Sequence, residues 1–251
     1  MRNYFTKGNP KTQKGEALGY DTLILHLAPA DEAGIGNACP LASPGCKASC
    51  LNRAGRGAMA SIQSARVRRT KELFPAGIDA GPCDPAMDRM IHEIDLALAR
   101  AEKKGRKLAI RLNGTSDLPW ETYSANWHGR AWKNLMAMFP AVQFYDYTKN
   151  PVRMRRFLLK MDWPSNYHLT FSRSEDNGVD IDSILRAHGN VAVVSAIETD
   201  GRPKLTCVST AACRVVDGNA HDLTFLHAPG SIIWLTPKGP ARHDSTGFVL
   251  R

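Results

Sequence analysis

The sequence predicts an α/β protein folded as a (β/α) barrel, complete or partial. Short apolar runs typical of buried strands alternate with stretches of helical periodicity along most of the chain. This alternation favours a mostly parallel sheet with helices packed outside it. A length of 251 residues is typical of one barrel, and no internal repeat or low-complexity linker divides the chain. We therefore expect a single domain over residues 1–251, with a doubly wound open sheet as the alternative.

Seven apolar runs predict the strands of this sheet. The first run reads as a buried strand, and the following runs have the same character. The predicted strands cover residues 22–28, 107–112, 142–145, 167–171 and 191–194, with shorter candidates at 223–226 and 232–235.

Four stretches between these runs predict helices. In the longest, apolar residues recur three or four positions apart, and Gly105 follows it as a stop. Pro140 and Gly189 end two others, and Pro151 suits the first position of a helix. The predicted helices cover residues 87–101, 132–139, 151–161 and 180–187.

The composition is that of a soluble globular protein and excludes a disordered or fibrous chain. Hydrophobic residues make up 43% and charged residues 23% of the chain. No apolar run approaches the roughly 18–20 residues needed to span a bilayer, so we expect no membrane partner. The N-terminal residues are basic but lack the apolar core of a signal peptide. These features predict a cytoplasmic protein.

The positive charge is concentrated in three segments. Lys and Arg number 33 against 24 Asp and Glu, a net charge of +9, yet residues 1–15, 47–71 and 149–160 contain no acidic residue. Such clusters can attract an anionic partner, either a nucleic acid or a small molecule. The alternative is that they are solvated helix faces.

Polar residues follow three predicted strands at their carboxyl ends, where (β/α) barrels carry their functional loops. We expect one shared polar site there, with turn and helix-cap chemistry as the alternative. The candidate catalytic residues are Asn113, Ser116, Asp117, Asp146, Lys149, Ser172 and Glu175, and the candidate cofactor-binding residues are Asn113, Thr115 and Arg173.

A cysteine-rich loop at about residues 37–57 gives the strongest chemical signal. Cys39, Cys46 and Cys50 follow the first predicted strand with the spacing C-x6-C-x3-C. In a reducing compartment, thiols this close are more typical of metal ligands than of disulfides. Structural zinc sites usually pair their ligands as C-x2-C, whereas short thiolate spacings suit an iron–sulfur cluster. We predict a [4Fe-4S] cluster on these three cysteines, with a disulfide or buried thiols as the alternative.

Three cysteines leave the fourth ligand of such a cluster open. Cys83, Cys207 and Cys213 are candidates, although each alone is more often a structural thiol. The other alternative is an iron left free to bind substrate or S-adenosylmethionine. Radical S-adenosylmethionine enzymes keep their cluster after the first strand of a (β/α) barrel, so the predicted barrel is similar to theirs. Their usual C-x3-C-x2-C spacing is absent from this chain.

Several long motifs extend over nearly the whole chain. They lie at residues 8–12, 25–30, 39–57, 111–117, 144–150, 169–175, 216–223, 238–239 and 247–248. On these motifs the chain resembles the bacteriophage gene product 88 family, whose cysteine triplet matches Cys39, Cys46 and Cys50. The resemblance implies a phage or prophage origin and a location in the host cytoplasm. It does not imply a particular activity.

The sequence is compatible with three functions, and it does not decide whether the protein is an enzyme. The first is an iron–sulfur protein in which one-electron chemistry of the cluster would act on a substrate held by the polar loops. The second is a nucleic-acid-binding protein with a structural cluster, whose phosphate contacts would come from Arg53, Arg56, Arg66, Arg68, Arg69, Arg153, Arg155 and Arg156.

The third function is a metal-dependent hydrolase or nuclease. Carboxylates and an imidazole can hold divalent ions, but no spacing among these residues is diagnostic. A Ser–His–Asp hydrolase is poorly supported because no G-x-S-x-G motif is present. The candidate ligands are Asp117, Asp146, Asp217, His221 and Asp222.

Overall fold

A computed structural model describes residues 3–6, 10–196 and 214–251 of the protein. Eight of its strands form one mostly parallel sheet, in which β10 is inserted between β8 and β9. The strands are β1 (Phe5–Thr6), β2 (Tyr20–Leu25), β3 (Lys107–Arg111), β6 (Gln143–Thr148), β7 (Tyr167–Ser172), β8 (Asn190–Val194), β9 (Val215–Asp217) and β10 (Ile232–Leu235), and the order in the sheet is β1-β2-β3-β6-β7-β8-β10-β9. A separate hairpin contains β4 (Ala125–Trp127) and β5 (Arg130–Trp132).

The sheet is open rather than closed over the residues that the structure describes. Its two edges are β1, which runs antiparallel to β2, and β9, which pairs only with β10. A complete barrel has no edge strand, because its first and last strands hydrogen-bond to each other. The predicted α/β class and parallel sheet are therefore confirmed, but a complete barrel is not found among these residues.

Six of the seven predicted strands are present. The runs at 22–28, 107–112, 142–145, 167–171, 191–194 and 232–235 correspond to β2, β3, β6, β7, β8 and β10. The run at 223–226 was wrongly predicted, since a 3-10 turn at Thr224–Leu226 replaces a strand there. Leu223 and Thr224 are each only 1% exposed but Leu226 is 44% exposed, so this short run is buried only at its start. Apolar character alone does not separate the two structures in so short a run.

The four predicted helices are also present, with one shortened at its start. Trp132, expected in a helix, lies instead in the β4–β5 hairpin, and the helix begins three residues later. The longest helix buries Met87, Met90, Ile91 and Ile94 on one face, as its periodicity predicted. The helices are α1 (Pro10–Glu16), α2 (Pro44–Ala48), α3 (Ala60–Leu73), α4 (Asp84–Lys103), α5 (Leu135–Met138), α6 (Pro151–Leu158) and α7 (Gly178–Arg186).

The described residues group into two compact units. The first unit comprises residues 1–40, 59–146 and 163–168, and the second comprises residues 41–58, 147–162 and 169–251. Trp120 and Tyr145 are fully buried in the first, and Phe171 and Ile233 are fully buried in the second. No helix of the described chain is long and apolar enough to cross a membrane.

Candidate functional site

In the first unit, the loop after β3 is organised around the buried carboxylate of Asp146. Its Oδ1 accepts a hydrogen bond from the backbone N–H of Asn113 at 2.7 Å, and its Oδ2 accepts one from the Tyr167 hydroxyl at 2.8 Å. The Asn113 side chain donates to the same Oδ2 at 3.2 Å and accepts from the Ser116 hydroxyl at 2.8 Å. Asn113, Ser116 and Asp146 were predicted as catalytic candidates, and the structure brings them together. Their bonds to one another fix the shape of the loop.

The same loop is joined to the segment that carries the first cysteine. The Thr115 hydroxyl donates to the Leu27 carbonyl at 2.6 Å, just beyond the end of β2, and the Asp117 N–H donates to the Ala38 carbonyl at 2.8 Å. The Sγ of Cys39 lies 3.7 Å from the Thr115 carbonyl oxygen. The structure thus places a predicted metal ligand beside a predicted cofactor-binding residue.

In the second unit, the cysteine loop forms the short helix α2. Ser43 caps it, since its Oγ accepts the backbone N–H of Cys46 at 3.1 Å. The carboxylate of Glu175, which follows β7, accepts the Gly45 N–H at 2.6 Å and the Ser43 hydroxyl at 2.8 Å. Glu175 was predicted as a catalytic candidate, but each of its carboxylate oxygens is bonded to the cysteine loop.

Cys46 and Cys50 of this loop have different surroundings. Cys46 packs against a small apolar cluster that includes Phe248 and Val249. The Sγ of Cys50 accepts the backbone N–H of Asn52 at 3.5 Å. Both thiols are half-buried and free of disulfides, as is that of Cys39. An N–H directed at sulfur favours the thiolate, which is the form that binds a metal.

The C-terminal segment, residues 244–251, is tied to the loop after β7. Arg173 Nη1 donates to the Gly247 carbonyl at 2.5 Å and to the Phe248 carbonyl at 2.8 Å. Lys149 Nζ donates to the Ser172 hydroxyl at 2.8 Å and lies 5.5 Å from the centre of the Phe248 ring. Arg173, predicted to bind a cofactor, therefore holds the C-terminal segment, and the catalytic candidates Lys149 and Ser172 contact each other.

Asp244 secures the turn that begins this segment. Burial opposes ionisation of its carboxyl, but hydrogen bonds from the backbone N–H of Val249 and from Thr246 outweigh that effect and lower its pKa. The segment is thus held by a charged acceptor at its start and by Arg173 near its end.

The donor chemistry of the cysteine loop fits a thiolate-ligated cluster, although the described side chains are not assembled around a metal position. Three cysteines that form no disulfide lie within twelve residues. Over residues 3–6, 10–196 and 214–251, no group of three or more His, Cys, Asp or Glu side chains is arranged to hold a metal ion. Of the candidate fourth ligands, Cys83 lies at the start of α4 with its Sγ 3.4 Å from the Glu72 carbonyl oxygen. Cys207 and Cys213 lie outside the described residues.

Several arginines expected to contact phosphate are used inside the fold. Arg66 is 7% exposed and Arg153 is 5% exposed, so neither can form part of an open basic surface. Arg69 donates to the His26 carbonyl, and burial followed by the nearby positive charges of Arg66 and Arg68 lowers its pKa. These contacts correct the expectation that the whole arginine set faces an anionic partner. A guanidinium is retained in the interior where backbone carbonyls and side chains accept its hydrogen bonds.

The carboxylates and imidazole proposed for a hydrolase do not form a metal-holding group in the described chain. Asp222 is 2% exposed, and Asp217 accepts hydrogen bonds from Asn219. His221 stacks on His227 with ring centres 4.7 Å apart. Burial and the neighbouring His221 lower the pKa of His227, against the opposing effect of Asp217. This arrangement favours a neutral, packed imidazole at His227.

Three residues of these networks were not among the predicted site residues. Tyr167 was assigned only to a strand, Gly45 only to the loop, and Phe248 only to a motif near the C-terminus. Their partners lie far away in sequence, at a separation of 130 residues for Gly45 and Glu175. The motif at residues 247–248 was the one signal that pointed to Phe248.

The fold and this site define an α/β protein with a mostly parallel sheet and a cysteine-rich loop after its first parallel strand. The family model of gene product 88 matches residues 3–251, so the chain belongs to the gene product 88 family of bacteriophage proteins. The family resemblance drawn from the sequence motifs is thereby confirmed. No curated protein and no solved structure matches the chain.

Proposed function

We propose that this protein binds an iron–sulfur cluster, [4Fe-4S], through Cys39, Cys46 and Cys50. The observation that carries the proposal is the presence of three half-buried cysteines, none of them in a disulfide, on one loop that follows the parallel strand β2. Thiolates at short spacings are the usual ligands of such clusters. The Asn52 N–H directed at Cys50 and the basic residues around the loop support it, because both stabilise negative charge on sulfur.

We further propose that the open sheet is a partial (β/α) barrel similar to that of radical S-adenosylmethionine enzymes. A bound cluster would supply one-electron transfer to a ligand at its open iron. In this proposal, Asn113 and Thr115 position the ligand next to Cys39, consistent with the contact between Cys39 and the Thr115 carbonyl. Arg173 acts indirectly, since its guanidinium holds the C-terminal segment.

Metal analysis of anaerobically purified protein tests the cluster. We expect a brown protein with about four irons and four sulfides per chain, and loss of most of both in C39S, C46S and C50S. C83S tests the open iron, because Cys83 is also half-buried and in no disulfide but lies outside the loop, and it should keep wild-type iron and sulfide if it is not the fourth ligand. A colourless wild-type protein without stoichiometric iron and sulfide would overturn the proposal, as would wild-type iron and sulfide in all three loop variants. A loss in C83S as well would overturn the open iron and make Cys83 the fourth ligand.

Electron paramagnetic resonance of the reduced protein tests the open iron. We expect the spectrum to change when S-adenosylmethionine is added, and reductive cleavage of that molecule if the protein is an enzyme of this class. A spectrum that stays the same at saturating S-adenosylmethionine would overturn binding of this molecule at an open iron, but not the presence of the cluster.

A further inference from the structure

The carboxylate of Glu175 holds the start of the cysteine helix α2. We propose that Glu175 is a positioning residue, which fixes the direction in which Cys46 and Cys50 present their thiols. This inference rests on the proposed function, since it assigns a role to the loop that would bind the cluster.

A continuous chain of hydrogen bonds connects Glu175 to Cys46, the cysteine within α2. Its Oε2 accepts the Ser43 hydroxyl at 2.8 Å, and the Ser43 Oγ in turn accepts the Cys46 N–H at 3.1 Å. Its Oε1 accepts the Gly45 N–H at 2.6 Å. Bonds from N–H and O–H donors to a carboxylate are shorter and roughly twice as strong as neutral ones. Glu175 thus restrains the N-cap and the first turn of α2, which lead to Cys46.

Close packing at Gly45 makes this contact specific. A Cβ atom built on Gly45 would lie 2.6 Å from Glu175 Oε1 and 2.8 Å from the Cβ of Phe248, and would also collide with the Thr246 hydroxyl. The carboxylate and the C-terminal segment therefore approach the helix backbone at a distance that only glycine allows. Phe248 also belongs to the apolar cluster against which Cys46 packs.

The use of both carboxylate oxygens separates this role from catalysis. A general acid or base must have an oxygen available to the reacting group. In Glu175 each oxygen already accepts a hydrogen bond from the loop, from Gly45 and from Ser43. The residue acts on the cluster site through the backbone of α2.

Variants at position 175 test the inference, with Asp176→Asn as the matched control. Asp176 is the next residue and is exposed, so D176N removes the same charge from the same loop without touching α2. In E175A we expect the Gly45 amide to exchange hydrogen about tenfold faster or more in the apoprotein, because a charge-assisted hydrogen bond is lost. We also expect faster alkylation of Cys46. E175Q, which keeps one carbonyl acceptor, should lie between E175A and wild type.

The holoprotein supplies a readout that a purely structural role would not change. After anaerobic reconstitution with iron and sulfide, E175A should retain less iron and show an altered paramagnetic resonance line shape, whereas D176N should match wild type. If E175A does not fold, E175Q and S43A carry the test. Their effects should be non-additive in the double variant, since both act on one chain of bonds.

The two proposals fail in different ways. A wild-type protein that takes up no cluster overturns the proposed function, while amide exchange and alkylation of the apoprotein still test Glu175. Wild-type exchange and alkylation in E175A overturn the positioning role even if the cluster binds. Wild-type line shape and iron content in both E175A and E175Q would overturn it as well.

Discussion

At the scale of single residues, buried polar groups decide the shape of the loops that carry the candidate site. Asp146 is fully buried, as its place in a central strand predicts, yet it lies among donors from two other segments of the chain. A buried charge persists in a protein only when such hydrogen bonds replace those it made to water. The loop after β3 therefore has one stable arrangement around this carboxylate.

Removal of this carboxylate should destabilise the fold strongly. D146A leaves the Tyr167 hydroxyl and the two Asn113 donors buried without their acceptor, and we expect a loss of about 3 kcal/mol in the free energy of unfolding. Y167F removes one bond and leaves the others, so its loss should be about 1 kcal/mol. Urea unfolding of the three proteins measures both values. A D146A protein as stable as wild type would contradict the assignment of Asp146 as the centre of this network.

At the scale of elements, the loop after β3 fits tightly against the end of β2. The Gly114 N–H donates to the Leu25 carbonyl at 2.9 Å. A Cβ at Gly114 would lie 2.6 Å from that carbonyl oxygen and 2.7 Å from Cγ2 of Ile24, and would also collide with the His26 ring. The path of the loop that leads to Thr115 and Cys39 thus depends on a glycine.

Replacement of this glycine should shift the loop and destabilise the first unit. We expect G114A to lose about 1–3 kcal/mol, since rigid backbone on β2 must move to admit the methyl group. G178A is the matched control, because a Cβ at the first residue of α7 meets nothing within 4 Å. That variant should be neutral or slightly more stable. Thermal unfolding of both proteins measures the difference, and equal melting temperatures would contradict the proposed close fit.

Elements with a strong periodic pattern were the predictable part of the fold. The helix from Asp84 to Lys103 buries the apolar face that its spacing indicated, and the long apolar runs became strands. Trp132 and the run at 223–226 were assigned wrongly, because a short apolar segment is compatible with a hairpin, a turn or a helix. The edge strands β1 and β9 have two and three residues, too few to show a period.

The sequence indicated which residues belong to the candidate site, but not which of them hydrogen-bond to each other. Local sequence placed Asn113, Asp146, Ser172 and Glu175 on loops after strands, where α/β proteins carry polar function. Asn113 and Glu175 do follow β3 and β7, but Asp146 lies within β6 and Ser172 is the last residue of β7. Local sequence could not indicate that Glu175 bonds to Gly45, 130 residues earlier, instead of facing a substrate. Such a contact depends on how distant segments pack together, and no local residue spacing in a single sequence indicates that packing.

At the scale of the whole molecule, the net charge of +9 has more than one use. Arg66 and Arg153 belong to the acid-free segments that suggested an anionic partner, but both are buried. Arg56 and Arg155 belong to the same segments and are exposed. The positive charge of these segments is therefore divided between the interior of each unit and its surface.

This division predicts that equal changes of charge will have unequal effects on stability. We expect R66A and R153A each to lose about 2–4 kcal/mol, because removal of the buried side chain leaves a cavity where its aliphatic stem packed, and in R153A the Thr148 hydroxyl also loses a donor. R56A and R155A remove the same charge from exposed positions and should stay within about 0.5 kcal/mol of wild type.

Urea unfolding at two salt concentrations separates the stability due to exposed charges from the stability due to buried ones, since salt screens exposed charges far more. The prediction would be contradicted if all four variants lost the same stability and salt abolished the loss equally. All four arginines would then affect stability only through screened surface electrostatics. If only R66A and R153A are destabilised at both salt concentrations, those two guanidiniums serve the fold, and a search for an anionic partner should concentrate on Arg56 and Arg155.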